Sequence, residues 1–391
     1  MCHFCRTTPR VGVMEDATDT TPDAHAPEMP TQVMALQPVA VVDHVVSVGT
    51  RFMAENVLGE VGGSKRVDEW ELTKLLDKVE AGNTQTKHIR TRAGGSAANT
   101  ARGLSKGFGV RTGLVGAVGD DEWGAVFLNA MRAANVDVGK LVTKPGKTGR
   151  CVCLVDEAGQ RTMRTNLGDA VKVDKEQLTD CLDTGATHCK WLVIPGYAFY
   201  NDGLVDAAVD AAKKRNVKVA LALSSFEVVN KFRTAIETLI RSGEVHTMFA
   251  NEDEAAALLS DDDEGKIYDE NTKEEEQKRR TPYRYLDAIQ SWAPNATAVC
   301  TLGDEGCVAR SAGVTAVCNA VATPTQVKDT TGAGDLFVSG FLAAAICGES
   351  LQKCARLGCI AGAAATQCVG AEVSDEVWDW VQEKCCEDFY K

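Results

Sequence analysis

The sequence has no apolar run approaching the roughly 20 residues needed to cross a bilayer, and its N-terminus has no apolar core of a secretory signal. The chain is therefore expected to stay inside the cell, in the cytoplasm, with an organelle left open. Residues 1–34 carry Arg6 and Arg10 but also Glu15, Asp16, Asp19, Asp23 and Glu28, an acidity that argues against a transit peptide. Positive charge is in deficit: 42 Lys and Arg face 55 Asp and Glu, a net charge of −13. That balance speaks against nucleic acid as a main partner and against an anionic membrane surface, but a local anion site remains compatible with it. A Walker P-loop is missing as well. Gly146-Lys147-Thr148 has its tail, but Leu141 stands where its first glycine is required. With no GxGxxG either, a dinucleotide-dependent oxidoreductase is excluded. Zinc spacing is also lacking, since Cys2 and Cys5 are followed by no second pair. The 15 cysteines are instead expected to be reduced thiols, many of them among small apolar residues, with Cys151 and Cys153 on one face of a strand.

At 391 residues, 44% hydrophobic and 25% charged, the chain can bury one large α/β core or two smaller ones. Residues 1–34, rich in Thr, Pro, Asp and Met, read as a disordered arm. The apolar stretch Val39–Val48 is interrupted by Asp43-His44, which suits either a strand end opening onto a site or a turn between two short strands. Trp70, Leu72, Leu75, Leu76 and Val79 follow a helical period. Strand 110–118 leads through a turn into helix 122–134, and segments 151–155 and 161–164 form a hairpin pattern. Beyond residue 170, helices 174–183, 202–215 and 226–241 alternate with strands 191–194, 217–223 and 245–250, which predicts a parallel sheet with crossover helices. The mixed-charge block 260–281 reads as a solvated insertion. Helix 283–292, strand 296–302, a hairpin at 307–318 and helices 333–347, 351–366 and 374–386 complete the chain.

Four junctions carry candidate chemistry. In Asp329-Thr330-Thr331-Gly332-Ala333-Gly334-Asp335, small residues precede a helix, so backbone N–H groups and the helix dipole can close on an oxyanion. Asp335 in the first turn is placed to take a proton from an attacking hydroxyl, although a capped helix after a flexible turn has the same pattern. Ala93-Gly94-Gly95-Ser96-Ala97-Ala98-Asn99 repeats the theme of two glycines before a helix. Asn251 and Glu254, three apart at a strand-to-helix junction, suit either Mg²⁺ and its waters or a plain N-cap. Thr301-Leu302-Gly303-Asp304-Glu305-Gly306 follows a strand as a simple turn or as the floor of a nucleotide site.

From about residue 36 to 388 these motifs resemble, in order, those of the ribokinase-like (PfkB-type) sugar and nucleoside kinases, and within that family the adenosine-kinase-like branch. Asp329–Asp335 matches the C-terminal signature, Ala93–Asn99 with Gly113–Asp121 the N-terminal glycine-rich one, Asn251–Glu254 the N-x-x-E element, and Thr301–Gly306 the T-L-G-x-x-G turn. The resemblance implies a three-layer α/β/α sandwich around a mainly parallel sheet, spanning residues 35–391. A small β lid would come from segments around 44–65 and 148–166. It implies ATP and Mg²⁺ as cofactors, with use of a monovalent cation open, and a small-molecule acceptor in a monomer or lid-mediated homodimer. By resemblance Asp335 is the catalytic base, and Gly332, Ala333 and Gly334 are the anion hole. Asp43, Gly94, Gly95 and Asn99 face the substrate. Asn251, Glu254, Thr301, Gly303, Gly306 and Thr330 serve the nucleotide, with Asn251 and Glu254 reaching the metal mostly through water. The expected reaction is transfer of the γ-phosphoryl of Mg·ATP to a hydroxymethyl group of a nucleoside. The alternatives are a ribose- or fructose-type sugar kinase, or a catalytically weak binding module.

Overall fold

The computed structural model describes residues 31–57, 63–81, 89–157, 161–168, 171–181, 189–260 and 274–389. The chain begins with β1 (Val33–Gln37), bends at Pro38-Val39 and enters β2 (Val41–Ser47). Then come α1 (Thr50–Asn56), β3 (Ser64–Arg66), α2 (Glu69–Ala81), β4 (Arg90–Gly94) and α3 (Ser96–Arg102), which ends in a π-helical turn, Gly103–Gly107. β5 (Thr112–Gly119), α4 (Glu122–Ala133), β6 (Asp137–Lys144), β7 (Gly149–Val155) and β8 (Arg161–Asn166) follow. The second half alternates through α5 (Lys175–Cys181), β9 (Trp191–Pro195), α6 (Leu204–Lys214), β10 (Lys218–Ala222), α7 (Phe226–Arg241), β11 (Val245–Asn251) and α8 (Glu252–Leu259). α9 (Glu274–Trp292), β12 (Thr297–Thr301), β13 (Cys307–Ser311) and β14 (Val314–Cys318) lead to three last helices. These are α10 (Ala333–Ile346), α11 (Leu351–Ala365) and α12 (Asp375–Phe389).

The main sheet has nine strands in the order β14-β13-β12-β11-β10-β9-β1-β5-β6. Every neighbouring pair from β6 to β12 is parallel, and only the β12–β13 and β13–β14 pairings are antiparallel. The two-residue period of a strand sends alternate side chains to opposite faces. On β1, Val33 and Ala35 join a core with α3, α4, α10, α11 and α12, whereas Met34 and Leu36 join one with α6, α7, α8 and α9. That is the expected α/β/α sandwich. Strand order reverses at β1, which places a crevice at the carboxyl edge there.

A second sheet of five strands, β3-β8-β7-β2-β4, stands beside this edge. Val46, Phe52, Leu72, Leu75, Val79, Val152 and Leu154 give it a small core of its own under α1 and α2. The turn considered at Asp43-His44 is not there: β2 runs straight through both residues. Alternation explains it, because the two side chains lie on opposite faces. His44 stacks edge-on against Trp123, with ring centroids 4.9 Å apart, and its Nδ1 lies 3.1 Å from Thr91 Oγ1. The break in the chain lies earlier, at Pro38-Val39, where it passes from one sheet to the other.

Of the expected arm 1–34, residues 1–30 lie outside the described residues, while Val33 and Met34 already belong to β1. Of the charged block 260–281, residues 261–273 lie outside them as well, and α9 begins at Glu274 rather than at Tyr283, with Pro282 inside it. Cys151, Cys153, Cys189, Cys300, Cys307, Cys318, Cys354, Cys359 and Cys368 are free thiols. No helix among the described residues is long and apolar enough to cross a membrane.

Candidate active site

The Asp329–Asp335 segment becomes the turn ahead of α10. Asp329 is fully buried and organises it: Oδ1 accepts from Thr331 N (2.9 Å) and Thr331 Oγ1 (2.7 Å), and Oδ2 accepts from Gly370 N (2.7 Å). Thr330 is exposed, and its carbonyl accepts from Ala333 N over 3.2 Å. Gly332 takes φ +75°, where a Cβ would come within 2.4 Å of Ala371 Cβ. It leaves the helix without a side-chain cap, so first-turn N–H groups of α10 stay available to a ligand. Gly334 faces open space, with nothing within 4 Å of where a Cβ would stand. Of the expected anion-hole residues, Ala333 has its N–H engaged within the turn, and Gly334 is the one with unobstructed approach.

Asp335 lies one residue further into the helix. Its Oδ1 accepts from Ser96 Oγ at 2.6 Å and its Oδ2 from Asn99 Nδ2 at 2.9 Å. Thr100 Oγ1 donates to its backbone carbonyl at 3.2 Å. Burial raises the carboxyl above the usual carboxylate range, and the Ser96 and Asn99 hydrogen bonds oppose that rise. The two glycine-led helices, α3 and α10, thus meet at the carboxylate.

Asp43, on β2, contributes from the second sheet. Burial is the main reason that its carboxyl is raised to about 7, with Arg102 and Arg161 pulling it down and Asp335 and Asp329 pushing it up. Gly94 is what admits it: a Cβ at Gly94 would sit 2.2 Å from Asp43 Cγ. Gly95, at φ +93°, likewise has no room for a side chain, because Gln37 Nε2 lies 2.4 Å from its would-be Cβ. These glycines make room for protein side chains before any ligand arrives.

Asn251 and Glu254 form a reciprocal capping box at the start of α8. Glu254 N donates to Asn251 Oδ1 (2.8 Å), Asn251 N to Glu254 Oε2 (3.0 Å), and Asn251 Nδ2 to Glu254 Oε1 (3.1 Å). Burial raises the Glu254 carboxyl to about 7. Each carboxylate oxygen keeps a second lone pair, so the donor set suits Mg²⁺ through bridging water rather than as a direct cage. No group of three His, Cys, Asp or Glu among the described residues is placed to hold a metal. Thr301 is the register partner of Asn251 on the next parallel strand. Gly303 (φ +56°) is open to solvent, and Gly306 (φ +104°) is required because a Cβ would meet Cys318 O at 2.0 Å.

The structure therefore joins Asp335, Asn99 and, through shared charge, Asp43 and Glu254. Thr301, Gly303 and Gly306 share the carboxyl edge without a direct contact to Asp335. Four residues escaped the sequence reading. Ser96 and Arg102 lie within the glycine-led helix itself. Arg161, at the start of β8, acts on both Asp43 and Asp335. Tyr197, just beyond β9, donates to Ser224 O at 3.4 Å and is raised by burial and by Asp335 and Glu254. Only the pattern of two glycines and Asn99 pointed toward this part of the site, and nothing in the spacing signalled Arg161 or Tyr197.

The chain is similar in sequence and fold to known proteins. The adenosine kinase of Saccharomyces cerevisiae is 28% identical over 302 residues, covering 75% of this chain and 83% of that protein. A 5-dehydro-2-deoxygluconokinase of Bacillus licheniformis is 27% identical over 309 residues, 76% of this chain and 87% of its own. Among solved structures, the adenosine kinase from Sinorhizobium meliloti aligns with a TM-score of 0.72 at 26% identity, over 91% of this chain and 99% of that one. The model of the pfkB family carbohydrate kinases matches residues 63–378, and the chain belongs to that family.

Proposed function

We propose that the protein is an ATP-dependent kinase that phosphorylates a hydroxymethyl group of a nucleoside or sugar, with Asp335 as general base. The observation that carries this reading is the Asp335 carboxylate, held by Ser96 and Asn99 beside the uncapped start of α10. A carboxylate in that place can accept the proton of a bound hydroxyl as the oxygen attacks. Gly334 leaves the helix start clear, so that its N–H groups can receive charge developing on the transferred group. Ser96 and Asn99 keep the base aimed. Asp43, across from Asp335, is suited to accept hydrogen bonds from acceptor hydroxyls, and the second sheet would serve as a lid that excludes water. Asn251 and Glu254 would hold Mg²⁺ through water, and Thr301, Gly303 and Gly306 would border the nucleotide. Mg·ATP supplies the phosphoryl group and neutralises its charge.

Relatives named as adenosine kinases support testing nucleosides first as acceptors, and a relative named as a 5-dehydro-2-deoxygluconokinase supports testing furanose and hexose sugars next. The test is a panel of both with Mg·ATP, read by ADP release and product mass. Phosphorylation of at least one compound is expected. Inactivity across the whole panel would favour a binding module instead.

A further inference from the structure

Behind the base lies a buried cation to which the mechanism above assigns no part. Arg102, on α3, is 7% exposed. Its Nη2 donates to Asn99 Oδ1 at 2.5 Å and to Ala93 O at 2.9 Å, while Nε and Nη1 are buried without a protein partner. A cavity of about 60 Å³, lined by Arg102, Lys106, Leu336, Glu372 and Trp378 among others, adjoins it. Burying a guanidinium with two nitrogens unpartnered is unfavourable, and an apolar residue would fill this helix position more stably.

The geometry shows what the charge accomplishes. A guanidinium has donors only, so the amide of Asn99 must turn its oxygen toward Arg102. Its NH2 group then has to face Asp335 Oδ2, 2.9 Å away. The flipped amide would set NH2 against guanidinium and carbonyl against carboxylate, two repulsive contacts. We infer that Arg102 is a positioning residue for the base: it locks the Asn99 amide so that Asp335 receives a donor and keeps its outward geometry. The inference rests on the reading of Asp335 as base. Arg102 donates to Asn99 and Ala93 rather than to Asp335, which leaves the carboxylate free for the acceptor hydroxyl. The charged and titratable groups that act on Asp335 or are acted on by it are Arg102 on α3, Arg161 on β8, Asp43 on β2, Tyr197 beyond β9 and Glu254 on α8. Arg102 and Arg161 are the cations among them.

The experiment compares Arg102→Lys, Arg102→Met, Arg102→Ala and Asn99→Ala with the double variant Asn99→Ala/Arg102→Met. Arg102→Met should lower kcat on the order of 10-fold or more with the KM for ATP within about 3-fold of wild type. Arg102→Lys, which can still donate to Asn99 Oδ1, should recover most of the loss, and added guanidinium ion should partly rescue Arg102→Ala. In the Asn99→Ala background the Arg102→Met step should have little further effect, since the relay is already cut. Additive losses, or an unchanged kcat in Arg102→Met, would overturn the inference. Should Arg102→Met fail to fold, Arg102→Lys and the guanidinium rescue decide it. A second readout does not depend on turnover: the carbon-13 carboxyl resonance of Asp335, assigned by Asp335→Asn, should titrate at higher pH in Arg102→Met or Arg102→Ala. An unmoved titration counts against the inference even if no acceptor is ever found, whereas a wild type inactive on every acceptor with a shifted titration counts only against the kinase reading.

Discussion

Asn99 Nδ2 donates to Asp335 Oδ2 over 2.9 Å, joining two helices whose residues lie 236 positions apart in sequence. Each helix opens after glycine, neither has a side-chain cap of its own, and both starts converge beside the carboxyl edge of the main sheet. One end of the chain delivers the carboxylate, and the other delivers the donors that aim it.

The first consequence concerns Asp335→Asn. An amide puts an NH2 group where one carboxylate oxygen stood, so it cannot accept from Ser96 at one position and from Asn99 at the other, and it cannot accept the acceptor's proton. Steady-state kinetics should show kcat lower on the order of 100-fold or more, with ATP binding close to that of the wild type. A variant turning over at the wild-type rate would remove Asp335 as the base.

Two neighbouring glycines should respond in opposite ways. In Gly332→Ala the new side chain meets Ala371 Cβ at 2.4 Å in a left-handed backbone, and a loss of about 1–3 kcal/mol of stability is expected. In Gly334→Ala the methyl meets nothing within 4 Å, so Tm should hold while kcat/KM falls on the order of 10-fold, if the space belongs to the transferred group. Thermal unfolding and kinetics on the same preparations separate the two. Full activity in Gly334→Ala would place the phosphoryl group elsewhere.

The sandwich was readable in the sequence because crossover helices and buried strands have distinct periods, as in the run from α5 to β11. The second sheet was readable only in part. β7 and β8 form a sequence-local hairpin, but β4 is Arg-Thr-Arg-Ala-Gly, with its first two residues exposed, and has no strand-like alternation to betray it. β6, also unexpected, is an edge strand of alternating exposed and half-buried residues, including Asp137, Lys140 and Lys144. Its polar side chains suit an edge and hide it from a hydrophobic pattern. In the site, Asp335 and Asn99 stood in short motifs. Arg161, Tyr197 and Gln37 act through tertiary proximity alone, which no local spacing encodes.

Asp43 should leave a signature in the pH dependence of stability. Its folded-state carboxyl is raised to about 7 from an ordinary 3.8, chiefly by burial. The fold therefore favours the protonated form: its stabilising contribution is complete below about pH 4 and is lost as pH rises through about 7. Replacing it by Asn retains a neutral side chain at every pH. Between pH 5 and 8, Asp43→Asn should gain stability relative to wild type in the absence of ligand, while its KM for the acceptor rises. Parallel wild-type and Asp43→Asn curves of Tm against pH would show that Asp43 is not the titrating group.

Gln37, the last residue of β1, offers the sharpest test of how the fold supports the site. It is 5% exposed; Nε2 donates to Val39 O at 2.7 Å, and Oε1 accepts from Ala98 N at 3.1 Å. Gly95 has no side chain with which to cap α3, so a side chain from β1 supplies the acceptor instead. The same amide holds the bend through which the chain leaves the main sheet for the second one. Gln37→Leu keeps the bulk but strands a buried donor and a buried acceptor, which should cost about 1–3 kcal/mol in urea unfolding. Because α3 carries Ser96 and Asn99, kcat should fall as well, even at temperatures where the variant is fully folded. A stability within about 0.5 kcal/mol of wild type, with unchanged turnover, would mean that water replaces the amide at both positions and that α3 needs no cap from β1.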